Sequence, residues 1–149
     1  MRRAPATLAL ILVTAACGPV PSLAPFGPGA QSAFFATYPD PLLSAAFQAC
    51  SAPGQTARRP DRDTIICETL PSPEAAAALI LAHNGTVLDL PSYIIGFQAS
   101  AATTGYVVTA DNYIRVPQEG GGVAQIRLRD AEIEQTMRDL LGAAGGVPF

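Results

Sequence analysis

The sequence predicts an α+β fold: a two-layer sandwich in which two to three helices cover one face of a mostly antiparallel sheet of about four to five strands. Three observations carry that expectation. Residues 86–129 are rich in β-branched and aromatic side chains, broken by short polar or Gly-rich connections. The segments 71–85 and 130–142 on either side carry helix start and stop residues. Within 123–129, Ala124, Ile126 and Leu128 alternate with Val123, Gln125, Arg127 and Arg129, the pattern of a strand with one face covered and the other largely wet.

The elements follow in chain order. In 40–50, Asp40 is placed to cap a helix and Pro41 to open it. Leu43, Ala46, Phe47 and Cys50 then share one helical face. Residues 50–63 read as a loop from their Pro and Gly content. "TIICETL" (64–70) reads as a strand with Ile65 and Cys67 on one side. In 71–85, Ser72 caps, Pro73 opens, Glu74 complements the helix dipole and Asn84-Gly85 stop the helix. Ala76, Leu79, Ile80 and His83 share its face.

Strands are then expected over 93–100, 106–109, 113–116 and 123–129, with hairpin turns at Asp111-Asn112 and Glu119-Gly120-Gly121-Gly122. In the closing helix, 130–142, Asp130 caps and Glu134–Arg138 form a favourable i, i+4 pair. Ile133, Met137, Leu140 and Leu141 form its buried stripe. The Gly-rich tail 143–149 is expected to fray, with Phe149 free to pack.

The N-terminus carries an address. Met1-Arg2-Arg3 is a short positive start, and residues 6–16 are an eleven-residue run without charge. As a helix that run spans roughly 16 Å, about half of a ~30 Å bilayer core, so it reads as a secretory signal and not a transmembrane helix. Thr14-Ala15-Ala16-Cys17 then resembles the lipobox of bacterial lipoproteins, with Thr14 where leucine is usual. The resemblance implies cleavage before Cys17 and acylation of that residue. Two or three acyl chains anchor firmly where one anchors marginally. Gly18, in place of an acidic residue, implies the outer membrane over the inner by analogy with enterobacterial sorting. The alternative is ordinary cleavage after Ala16, leaving a soluble chain.

The resulting organisation is a signal peptide (1–16), a lipidated cysteine with a Pro-rich tether (17–40), an α+β domain (41–142) and a flexible tail (143–149). One domain is what 149 residues suggest.

Three cysteines in an exported chain leave one to explain. With Cys17 committed to lipid, Cys50 and Cys67 are free to pair in an oxidising periplasm. No C-x-x-C spacing points to redox chemistry.

Composition excludes several functions. The chain has no lysine, which removes Schiff-base and P-loop mechanisms. A net charge of −3, two units lower without Arg2 and Arg3, lacks the basic footprint of a nucleic-acid binder. There is no G-x-S-x-G elbow and one histidine, His83, which the dipole of its helix's last turn suits better than catalysis. No zinc set assembles from one His and distant cysteines, and Asp61-x-Asp63 fails the calcium-loop pattern at Ile66 and Ser72. No catalytic residue, cofactor or metal is expected. Carboxylate chemistry stays open, since acids distant in sequence can meet in a fold.

The leading expectation is thus a non-enzymatic, membrane-tethered envelope module that binds another envelope protein. Its rivals are a domain holding a small apolar or anionic ligand between sheet and helices, and a small carboxylate hydrolase. Two clusters are candidate partner-binding residues. Phe34, Phe35 and Tyr38 either dock back on the domain or anchor a partner. Arg58, Arg59 and Arg62 form either a solvated loop or an anion site.

Overall fold

The computed structural model describes residues 26–127 and 129–149. Cys17, the leader and the first part of the tether lie outside them. The elements run β1 (Gln31–Phe35), α1 (Asp40–Ala49), β2 (Gln55–Arg58), β3 (Thr64–Thr69), α2 (Pro73–His83), β4 (Ser92–Ala102), β5 (Gly105–Pro117), β6 (Val123–Ile126), α3 (Ala131–Ala143) and β7 (Val147–Pro148). The α+β class and antiparallel pairing hold, with three helices. The sheet has seven strands, more than expected, in the order β2-β3-β4-β5-β1-β7, with β6 continuing the β1 edge of β5.

The extra strands come from segments whose polarity or glycine content hid them. β2 lies in the expected loop 50–63; it is exposed and polar, and its pairing with β3 defines it. β1 lies within the expected tether, so the packed fold begins well before residue 41. Its buried face, Gln31, Ala33 and Phe35, inserts between β5 and β7. β7 lies in the expected tail. A Cβ on Gly146 would sit 2.7 Å from the Phe35 ring, so a glycine lets the chain pass close over that ring after α3. Val147 and Pro148 then pair with Phe34 and Ala33, and the Phe149 N–H donates to the Ser32 carbonyl at 3.1 Å. The Phe149 side chain stays exposed.

Asp111-Asn112 is not a turn. β5 runs straight through it, and the hairpin turn falls instead between Ala102 and Gly105. Flanking Val, Tyr and Ile carry the strand, and Asp111 finds a partner, Arg127, that removes its reason to turn. The Gly120–Gly122 turn is as expected, with Gly121 and Gly122 at positive φ. Asp130 and Ser72 cap their helices through side-chain oxygens. Asp40 does not cap α1: the N-cap is Pro39, and Asp40 lies in the first turn. The Glu134–Arg138 pair also fails to form, because Arg138 reaches Gln31 and Gln135 instead.

One face of the sheet holds the core. Ala33, Phe35, Ile65, Phe97, Ala99, Val108 and Ala110 pack there under Leu42 and Leu43 of α1 and Met137 and Leu141 of α3. Cys50 and Cys67 are disulfide-bonded, with Cα atoms 5.4 Å apart. The bond ties the end of α1 to β3 across 17 residues of sequence, a closure that contributes about 3 kcal/mol in the chain-entropy model.

Candidate binding groove

The helices do not cover the whole core face. α1 packs against β2 and β3, and α3 packs against β1 and β7. The centre of the sheet, β4 and β5, is left between them as the floor of an apolar groove of about 850 Å³. On the α1 side its wall is Leu42, Ala45, Ala46 and Ala49. Three alanines project little and leave the space open. On the α3 side it is Ile133, Thr136, Met137 and Leu140. The floor is Cys67, Ile95, Phe97 and Asn112. The disulfide fixes the α1 wall to that floor.

This arrangement corrects the expected buried stripe of α3. Met137 and Leu141 are buried, but Ile133 and Leu140 are 40% and 45% exposed, and Ile95 on the floor is 44% exposed. Phe47, expected on the inner face of α1, is also exposed. Ile95, Ile133 and Leu140 face the groove, open to solvent.

The polar content of the groove is small. The Thr136 hydroxyl donates to the Glu132 carbonyl at 2.8 Å, so its hydrogen-bonding capacity is largely spent within the helix. Gln55, Thr69 and Asn112 offer neutral polar groups, and Glu132 is the one ionisable side chain lining the groove among the described residues. Among the described residues no arginine or histidine lines it. A volume of this size and an apolar lining with a few polar groups are the properties of small-molecule sites.

The opposite sheet face carries paired charges beside the apolar side chains of Ile66 and Ile94. Arg115 binds Asp89 through two bonds of 2.9 and 3.0 Å and Glu68 at 3.2 Å, while Arg58 meets Glu68 at 3.0 Å. The Arg115 hydrogen bond holds the Asp89 carboxyl below its usual range, and Asp89 raises the Arg115 guanidinium in turn. Further along, Arg127 donates to Asp111 at 2.8 Å and lies over the Tyr113 ring. Asp111 Oδ1 and Arg127 Nε have no hydrogen-bond partner among the described residues. Asp111 and Arg127 border a smaller pocket of about 140 Å³. Burial, with the Asp111 charge nearby, pushes the Tyr113 phenol up.

The six expected partner-binding residues do not converge on one patch. Phe35 is buried in the core, and Phe34 is half-buried on the opposite face beside Val107. Tyr38 and Arg62 do meet: the guanidinium lies 4.5 Å from the ring centroid, and the Tyr38 hydroxyl donates to the Arg62 carbonyl and to Asp63. The ring also stacks edge-on against Tyr106 at 5.3 Å. Arg58 is paired with Glu68, and Arg59 donates to the Arg62 carbonyl at 2.8 Å. These contacts fasten the 58–63 segment to the core edge.

No family model, curated protein or solved structure matches the chain.

Among the described residues no group of three or more His, Cys, Asp or Glu could hold a metal ion, and no helix is long and apolar enough to cross a membrane. His83 sits in the last turn of α2 and does not line the groove. The residues that build the groove were not singled out from sequence as a site. Their signal was present in α3, which carries four large apolar residues where two suffice for the core, and in Ile94-Ile95, adjacent apolar residues on opposite sheet faces.

Proposed function

We propose that this protein is a non-enzymatic envelope lipoprotein, anchored through Cys17, whose domain binds a small, largely apolar and uncharged ligand in the groove between α1 and α3. The observation that carries the reading is the groove itself, about 850 Å³ with Ile95, Ile133 and Leu140 left open to solvent. A contiguous exposed apolar surface is costly to maintain unless something binds it. The lining favours an aliphatic body with a hydrogen-bonding, neutral end near Asn112, Gln55 and Thr69. An anionic ligand fits poorly, because no cation among the described residues lines the groove and Glu132 would repel it. One carboxylate without a nearby histidine supports binding over hydrolysis.

The test is a titration with N-phenyl-1-naphthylamine, a neutral apolar dye that fluoresces on leaving water. Saturable binding at one site per chain is expected, with competition by a neutral monoacylglycerol. Ile95→Gln and Leu140→Gln should each weaken the dye at least tenfold, about 1.4 kcal/mol. Non-saturable uptake, or affinity unchanged by both substitutions, would remove the ligand-binding reading.

A further inference from the structure

α2 has an unusual outer surface. Ala77, Ala78, Leu81 and Ala82 face outward, and between Glu74 and His83 the helix has no charge at all. A helix on the surface of a soluble domain normally turns a charged face to water. The loop that follows extends the apolar surface: Leu81 is 83%, Val87 73% and Leu88 94% exposed.

This loop is held in place. Asn84 closes α2 in the left-handed conformation, Thr86 donates its N–H to the Pro117 carbonyl at 2.9 Å, and the Leu88 N–H donates to Thr86 Oγ1 at 3.1 Å. Asp89 is clamped by Arg115. The fold therefore spends polar contacts on presenting Val87 and Leu88 to the outside.

We propose that the outer face of α2 and the loop 84–91 dock on the bilayer that holds Cys17, with Leu81, Val87 and Leu88 entering the boundary between headgroups and acyl chains. The inference rests on the anchor reading for its geometry. Eight residues, 18–25, lie between the acylated cysteine and the first described residue, Phe26. Fully extended they reach about 30 Å. A domain whose radius of gyration is about 14 Å is thus confined within about one domain diameter of the bilayer, near enough for this face to reach it. Glu74, Asp89 and Glu119 are the acids on α2 and the loops beside it, so attraction to anionic headgroups is not the driving force. Association by apolar burial alone is insensitive to salt.

All the described elements lie beyond residue 30, so the chain from residue 17 with Cys17→Ser presents the patch without lipid or leader. Floated with vesicles of phosphatidylethanolamine and phosphatidylglycerol, it should bind no less at high salt than at low, because salt screens the repulsion between a net-acidic chain and the anionic lipid. Leu81→Asp with Leu88→Asp should lower the bound fraction at least tenfold. Leu81→Ser with Leu88→Ser serves if the acidic pair disturbs folding, judged by circular dichroism and an intact disulfide. Absence of vesicle binding, equal binding by the variants, or loss of self-association in place of vesicle binding would each overturn the proposal. Intact mass of the native chain reads acylation separately: an unmodified Cys17 would remove the anchor and leave the vesicle result standing.

Discussion

Asp111 is where a single residue most clearly changed its meaning between sequence and structure. Beside Asn112 it has the composition of a turn, yet it lies almost wholly buried in the longest strand, with side chains of Asp111 and Arg127 only 3% and 18% exposed. The partner is 16 residues away and invisible to any local rule. Removing one member of a buried pair costs more than replacing both. Asp111→Ala should therefore destabilise by roughly 3 kcal/mol, and Asp111→Asn with Arg127→Met by less, read from urea unfolding. A double variant as unstable as the single one would mean that the pair does not act as a unit. Asp89 supplies a pH dependence. Its native carboxyl titrates below the unfolded value because Arg115 stabilises the anion. Its contribution is full above the ordinary aspartate value of about 3.9 and is lost as pH falls through the lowered native one. Wild type and Asp89→Asn should differ at pH 7 by less than about 1 kcal/mol, the pair being exposed, and converge in acid. A gap that persists there would contradict the clamp.

At the scale of elements, local signals and long-range ones separated cleanly. α2 and α3 were legible because capping and stop residues act within one turn: Ser72, Asn84 and Asp130 do in the structure what their chemistry suggests. β1, β2 and β7 were not, because each is short and is defined by its neighbours. Phe34 and Phe35 could not be divided into an outer and an inner ring without knowing that β1 pairs with β5. The stripe of α3 was legible as apolar and misleading as buried. Periodicity counts the apolar residues on a face but not what stands opposite them. Core and groove should therefore be separable within one helix. Leu141, fully buried, should cost about 2–5 kcal/mol when changed to Ala. Leu140→Gln should stay within about 0.5 kcal/mol of wild type while losing dye affinity. Comparable destabilisation by both would place Leu140 in the core and undo the groove.

For the whole molecule, the architecture divides labour between two faces of one sheet. One face buries the core, but its two flanking helices stand apart, and the disulfide that holds α1 against β3 also holds one wall of the gap. The other sets paired charges beside Ile66 and Ile94. Local patterning anticipated the class of fold, and composition excluded lysine chemistry and a basic nucleic-acid footprint. The gap depends on how far apart two helices sit, which no single segment encodes. The central claim is that this gap is a binding site. The most direct measurement follows methyl resonances of the isotope-labelled chain while a neutral monoacylglycerol is added below its aggregation threshold. The account predicts saturating shifts at Ile95, Ile133, Met137 and Leu140, with one ligand per chain, and no change at Leu81 or Leu88. Shifts confined to α2, or no saturating shift in the groove, would contradict it.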